Sequence, residues 1–286
     1  MGSSKETLKF DEIGYWSEIK LEILRKYAVA FTTIISAQTR KGIALHPVYI
    51  DGFAGAGENI SKTTGDTVPG SPKIALEIVP PFSAYHLVDL NQRRADNLRE
   101  ISAGRANVHV HTGDCNQVLI RDVFPLVRHD QYRRGLCLLD PYGLHLDWEV
   151  IRTAAETRAI EIFLNFPVAD MNRNVFWQNP EGVNPDDVAR MTAFWGDDSW
   201  QPVAYTSMPT LFGGVVETKT ADNRMIAEAY RKRLKEVAGF QYVPEPIPMR
   251  NMKNVIVYYL FFASPNATGG KIVKEIFDRY RNYGVR

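Results

Sequence analysis

Four short stretches of this chain put carboxylates and glycines where an apolar run gives way to a turn. Tyr49-Ile-Asp-Gly-Phe-Ala-Gly-Ala-Gly57 closes such a run with Asp51, Gly52, Phe53, Ala54, Gly55 and Gly57. Gly55 and Gly57 carry no Cβ, so the backbone can approach a ligand closely there. Asp89 ends the run 85–88, and a carboxylate at that point can hold the two hydroxyls of a ribose. Gly113-Asp114-Cys115-Asn116 follows a third run, placed to meet the amino group or ring edge of an adenine. Asp140-Pro141-Tyr142-Gly143 follows a fourth, nearest to where a transferable group would lie. Taken singly, each stretch also reads as ordinary turn chemistry. Taken together, they fall at successive strand ends, in the order a cofactor crevice requires.

Other cofactor chemistries fit less well. No GxxxxGK[ST] is present to cradle phosphates, and Gly57 is followed by Glu58, Asn59 and Ile60 rather than by the third glycine of a dinucleotide site. The form favours a nucleoside sulfonium, which has no pyrophosphate to rest on a helix start. Cys115 and Cys137 cannot build a disulfide framework or a four-thiolate centre. His109 and His111 share one strand face, but no further ligand is suggested nearby, so no metal is expected. The longest apolar run, 255–263, is far below the roughly 20 residues of a membrane span. With no hydrophobic signal core either, a cytoplasmic protein is expected, without membrane contact. The 34 basic and 33 acidic residues give a net charge of +1. Bulk charge therefore does not advertise nucleic-acid binding, although a local basic patch would suffice.

The elements needed to position these residues can be read from periodicity. Trp16, Ile19, Ile23, Tyr27, Phe31 and Ile34 recur at helical spacing over 15–39, with Glu18, Lys20, Glu22, Arg25 and Lys26 on the other face. Strands over 48–53, 85–89, 107–111, 136–139 and 160–166 then alternate with helices over 71–79, 92–102, 116–123 and 147–156. Such alternation implies a parallel sheet with helices on both faces. Residues 168–218 break the rhythm and read as an inserted lid or target-recognition segment with its own aromatic core, including Trp177, Trp195 and Trp200. A helix over 221–237, an antiparallel pair over 240–249 and 254–263, and a helix over 271–283 complete one domain, 15–286, behind a flexible N-terminus, 1–14. The fold expected is α/β and Rossmann-like: a mostly parallel seven-stranded sheet with an antiparallel final strand, an N-terminal helix and a lid-like insertion.

In this order the motifs resemble those of the three-Cys-motif partner protein (TcmP) family. The resemblance runs from about Trp16 to the Ala263-Ser-Pro segment and also takes in Gly70-Ser71-Pro72. It implies the class I methyltransferase fold, S-adenosylmethionine (SAM) as cofactor, and a separate three-cysteine partner protein of the radical-SAM-like kind. The Asp140 segment is also similar to the Asp/Asn-Pro-Pro-aromatic segment of adenine-N6 methyltransferases. Here the second proline is missing and Tyr142 comes one position early, closer to the Asp-Pro-Phe/Tyr-Gly of tRNA guanine-N2 dimethyltransferases. Either likeness implies methylation of an exocyclic amine on a nucleic-acid base, with Asp140 and Pro141 orienting the amine and Tyr142 stacking on the base. Asn165 and Arg173 lie in the region expected to meet this target. Arg224 and the run Arg231-Lys232-Arg233 read first as a solvated helix face.

Asp51 and Asp89 are 38 residues apart, against the roughly 20 expected between such a glycine turn and its ribose carboxylate. The excess, a polar loop over 58–69, could form a flap over the cofactor or displace the following helix. It keeps open a catalytically silent scaffold or binding subunit that works with the three-cysteine partner. Methylation of a protein or small molecule is a third possibility.

Overall fold

The computed structural model describes residues 10–209, 214–251 and 253–281. Strand β1 (Asp11–Ile13) leads into the long helix α1 (Tyr15–Arg40) and then β2 (His46–Asp51). A hairpin, β3 (Glu58–Ser61) and β4 (Thr67–Pro69), precedes α2 (Ser71–Leu76). Alternation follows with β5 (Ala84–Asp89), α3 (Gln92–Ile101), β6 (Val108–Thr112), α4 (Cys115–Val118), β7 (Arg133–Leu139), α5 (Trp148–Glu156) and β8 (Ile160–Phe166). The next segment holds α6 (Val168–Asn174), α7 (Pro185–Trp195), α8 (Trp200–Ala204) and a hairpin of β9 (Tyr205–Pro209) and β10 (Val215–Lys219). Helix α9 (Asn223–Glu236), β11 (Ile247–Arg250), β12 (Ile256–Ala263) and α10 (Ala267–Tyr280) close the chain.

The main sheet has the order β6-β5-β2-β7-β8-β12-β11. Strand β12 runs antiparallel to both of its neighbours, and the pairings from β6 to β8 are all parallel. Strand order reverses between β2 and β7, which puts the ligand crevice of such a sheet beyond their carboxyl ends. This is a Rossmann-like α/β fold, with a mostly parallel seven-stranded sheet and an antiparallel β12.

Strand alternation sends Tyr49, Tyr85, Leu136, Leu138, Phe163 and Phe262 to one face, where α1 and α10 cover them. Ile50, Cys137, Leu139, Ile162, Leu164 and Phe166 face the other way, under α5, α6, α7 and α9. Local sequence sets the ends of these helices. Asn184 caps α7 by accepting from the Asp186 N–H, with Pro185 at the first turn, and Asp222 caps α9 through the Met225 N–H.

Four readings of the sequence need correction. Residues 11–13 are a strand rather than part of a frayed tail; residues 1–9 lie outside the described residues. The polar stretch 58–69 is the β3–β4 hairpin, and it lengthens the chain between Asp51 and Asp89 without displacing α2 from Ser71. The expected strand over 240–249 forms a continuous ladder only from Ile247, with an isolated bridge between Tyr242 and Ser264 before it, because Pro244 and Pro246 have no N–H to donate to a ladder. The aromatics of the insertion have no separate core: Phe194 lies 5.7 Å from Phe166 and 5.5 Å from Tyr230, within the core of the sheet face, which Trp195 and Trp200 share, while Trp177 is exposed.

On β5 and β6, His86 stacks on His109 at 4.9 Å and on His111 at 5.4 Å, with Nδ1 of His86 3.2 Å from Nε2 of His111. His86 is 4% exposed, and burial, then His109, His111 and Arg133, push its imidazole down to about 3. The unfolded chain binds this proton near pH 6.5 and the folded chain does not. Stability is therefore fully present above that pH and falls between about pH 6.5 and 3, by roughly 3–5 kcal/mol. His86→Gln cannot ionise, so its denaturation midpoint should lose this acid limb. Parallel pH profiles for the two proteins would show that the stacked histidines carry no such linkage.

Candidate active site

The carboxyl ends of β2, β5, β6, β7 and β8 open on two adjoining cavities. One, of about 400 Å³, is walled by the turn 53–57, Lys20, Asp140, Pro141, Tyr142 and Asn165. The other, of about 760 Å³, is walled by Gly52, Asp89, Leu90, Asp114, Cys115 and Asn116, among others. Phe53 and Tyr142 line both and mark the seam between them. Both volumes lie within the usual range of small-molecule sites.

The glycine turn is fixed from behind. Asp51 is fully buried and lines neither cavity; its carboxylate accepts from Tyr49 Oη at 3.1 Å and from the Phe53 N–H at 3.2 Å. Burial pushes Asp51 up to about 6, against the hydrogen bonds of Ser71, Phe53 and Tyr49. Gly55 has φ +65° and nothing within 4 Å of the place a Cβ would take, so its open side is bare backbone facing the smaller cavity. Asp51 thus shapes the turn while Gly52, Phe53, Ala54, Gly55 and Gly57 form the walls.

Asp89 is 8% exposed and grips both loops at its end of the crevice. One oxygen accepts from the Gly55 N–H at 2.9 Å, the other from the Asn91 N–H at 2.8 Å. Asp114 caps α4 by accepting from the Asn116 N–H at 2.8 Å. Cys115 is buried behind it, and burial followed by the charges of Asp114 and Asp147 pushes its thiol well up, away from the thiolate form. Asn116 ties this wall to the next loop through its Oδ1, which accepts from the Asp147 N–H at 2.8 Å.

The far end of the smaller cavity carries the target chemistry. Leu139 and Leu164 are register partners, so Asp140 and Asn165 leave the ends of β7 and β8 side by side. Asn165 Oδ1 is buried without a hydrogen-bond partner. Asp140 is ion-paired with Lys20 of α1, whose side chain is only 8% exposed. Burial draws the Lys20 ammonium down, but Asp140, Tyr258 and Asp51 together outweigh it and hold the group above its ordinary value. Lys20 also lies 5.5 Å from the Tyr258 ring centre. Tyr142 is 63% exposed at the mouth, its hydroxyl donating to Asp11 at 2.7 Å.

Every sequence-predicted site residue lines a cavity except Asp51, which lies behind the turn, and Arg173. Arg173 is exposed on α6, outside both cavities, its carbonyl accepting from Trp177 Nε1. Sequence reasoning missed Lys20, Asp11 and Arg94. Lys20 falls on the charged side of the α1 pattern, so only its single-residue offset from Ile19 toward the buried stripe could have signalled it.

No family model matches the chain, and no curated protein sequence does. Solved structures with similar coordinates include a Legionella pneumophila protein of the DUF519 family model, at 12% identity over 90% of each chain and a TM-score of 0.44. The DszA carbon methyltransferase matches at 12% identity and a TM-score of 0.45, over 88% of this chain and 55% of its own. A Leishmania major SAM-dependent methyltransferase matches at 11% identity and a TM-score of 0.36, over 87% of this chain and 82% of its own. Among the described residues, no helix is long and apolar enough to cross a membrane, and no group of three His, Cys, Asp or Glu side chains could hold a metal ion.

Proposed function

We propose that the chain is a SAM-dependent N-methyltransferase acting on an exocyclic amine of a nucleic-acid base. The observation that carries this reading is the pair of acceptors at the ends of β7 and β8. A buried amide oxygen with no partner is costly, and a ligand bearing N–H groups would relieve that cost. An amine has two such groups, one for Asn165 Oδ1 and one for Asp140, which leaves its lone pair free to attack.

The residues of the crevice suit the cofactor. Asp89 would take the ribose hydroxyls, Asp114 the adenine edge, and the bare backbone at Gly55 the amino-acid end. Bound there, SAM supplies an electrophilic methyl group on a sulfonium, and the protein's part is alignment. The ion pair with Lys20 fixes the Asp140 side chain at the end of β7. Tyr142, exposed at the mouth, offers a ring on which a base can stack. The likeness to TcmP motifs supports a three-cysteine partner protein acting beside this chain, and a cytoplasmic setting goes with it.

A second reading has one observation in its favour. Asp140 is already paired with Lys20, as it would be in a scaffold subunit that no longer turns over. One experiment separates the two. Purified protein is first titrated with S-adenosylhomocysteine (SAH), then incubated with methyl-labelled SAM and total RNA or DNA, which is digested to nucleosides. Micromolar SAH binding, weakened about 10- to 100-fold by Asp89→Ala, and label in an N-methylated nucleoside are the expected results. SAH binding without transfer would favour the scaffold, and a folded protein that ignores SAH would end the cofactor reading.

A further inference from the structure

The N-terminal strand lines the smaller cavity, and Asp11 reaches from it to the seam between the two. Asp11 pairs in register with Asn59, and Ile13 with Ser61, so β1 is held parallel to β3 of the hairpin. The Lys62 N–H donates to the Ile13 carbonyl at 2.8 Å, and Ser61 Oγ donates to Glu18 of α1 at 2.7 Å. The hairpin is thus anchored on the helix, while β1 itself is only three residues long. From this mount, each of the two oxygens of Asp11 takes its own partner. One accepts from Tyr142 Oη at 2.7 Å and the other from Arg94 Nη2 at 2.8 Å.

The partners belong to different walls. Asp11 lines the smaller cavity, Arg94 of α3 lines the larger, and Tyr142 lines both. The Tyr142–Asp11–Arg94 bridge therefore spans the seam that any ligand occupying both cavities must cross. Gly55 and Asp89, the candidate holders of the two ends of a nucleoside with an amino-acid tail, lie in separate cavities. We propose that Asp11 is a latch over the cofactor crevice and a positioning residue for Tyr142. It holds the tyrosine ring at the mouth and must release Arg94 and Tyr142 before the cofactor product can leave. The inference rests on the cofactor reading above and adds to it the route of exchange.

The elements involved fit this role. The closing contacts are a single carboxylate and a short strand, which can open without disturbing the main sheet. The hairpin behind them stays fixed through Glu18, so the strand recloses on the same register. Tyr142 carries a spectroscopic record of the closed state: partial burial, then the hydrogen bond and charge of Asp11, push its hydroxyl up to about 12.

The test uses the full chain and SAH as probe. Release of SAH is followed by displacement in wild type, Asp11→Ala and Tyr142→Phe, and the Tyr142 hydroxyl is titrated by NMR of tyrosine-labelled wild type and Asp11→Asn. The Tyr142 resonance is the one absent from Tyr142→Phe. Asp11→Ala is expected to speed release about 10- to 100-fold, the loss of a charge-assisted bond, and Tyr142→Phe to speed it less. Asp11→Asn should bring the Tyr142 titration down toward that of an ordinary tyrosine. Unchanged release rates in variants of a wild type that binds SAH would overturn the latch while leaving the cofactor site intact. A wild type that fails to bind SAH at all would overturn the cofactor reading and the latch with it. If Asp11→Ala does not fold, Tyr142→Phe, which removes one hydroxyl at an exposed position, decides the question.

Discussion

Asp140→Ala should lower methyl transfer by about 10²- to 10³-fold while leaving SAH affinity within a factor of about two. The substitution removes both acceptor oxygens, whereas asparagine would keep one, so the loss would be that of one preorganised polar group facing the reacting atom. Asp140 lines the smaller cavity only, away from Asp89 and Asp114, which is why cofactor affinity should survive. The same change leaves the Lys20 ammonium buried without its carboxylate. Breaking a buried pair from one side costs about 3–5 kcal/mol. Because the Asp140 side chain keeps 29% of its exposure, a loss of about 2 kcal/mol is the better expectation. Stability and chemistry can be separated with Lys20→Met combined with Asp140→Ala. The double variant should regain stability, since no unpaired charge remains, and should still fail to transfer. Full transfer by Asp140→Ala would remove Asp140 from the chemistry.

A larger effect on folding is expected at the opposite end of the sheet. Gly269 lies in the first turn of α10, where a Cβ would come 2.3 Å from Glu161 Oε1 and 2.6 Å from Tyr27 Oη. Those atoms belong to a closed, buried network in which Glu161 accepts from Tyr27 Oη and, at 2.8 Å, from Ser264 Oγ. On helix propensity alone, Gly269→Ala should stabilise α10 by about 1 kcal/mol. Here the added methyl must push a carboxylate and a phenol out of place on β8 and α1, both of them in the packed interior. Overpacking of this kind costs about 1–3 kcal/mol, and each buried hydrogen bond left unmade adds about 1–3 kcal/mol. The net expectation is a loss of about 3 kcal/mol in denaturant unfolding, with SAH binding preserved because the network is remote from both cavities. A variant as stable as the parent would show that the network yields more easily than its packing implies.

The ends of the parallel strands were the most legible feature of the sequence, because each combines an apolar run with a turn residue. Asp51, Asp89, Asp114 and Asp140 all take their expected places in chain order, and the seven-stranded sheet follows from them. Their roles were less legible. Asp51 and Asp89 look alike in sequence, yet one is sealed behind the turn and the other lines a cavity, a distinction set by the helix packed over Asp51. Lys20 was hidden because periodicity assigns residues to faces, whereas a long side chain at the border of two faces can turn either way. Asp11 was hidden because a three-residue strand has too few positions to show alternation. Arg94 sits among the polar residues of α3, and only the fold brings it opposite Asp11. Arg173 illustrates the opposite error, since nearness to a strand end in sequence did not bring it to the crevice.

The shared aromatic core of the insertion bears on how this chain could have arisen and how far it can be re-engineered. Phe166 of β8, Phe194 of α7, Tyr230 of α9 and Phe261 of β12 meet as one cluster, with centroid distances of 4.7 to 5.8 Å. A module bolted onto a finished sheet could be exchanged for another with a different specificity. This one cannot, because removing it would strip the cover from the strand that carries Asn165. Changes in target preference in such a chain would have to come through point substitutions that respect the cluster, or through the β9–β10 hairpin, which leaves Met208, Val215 and Val216 in contact with solvent.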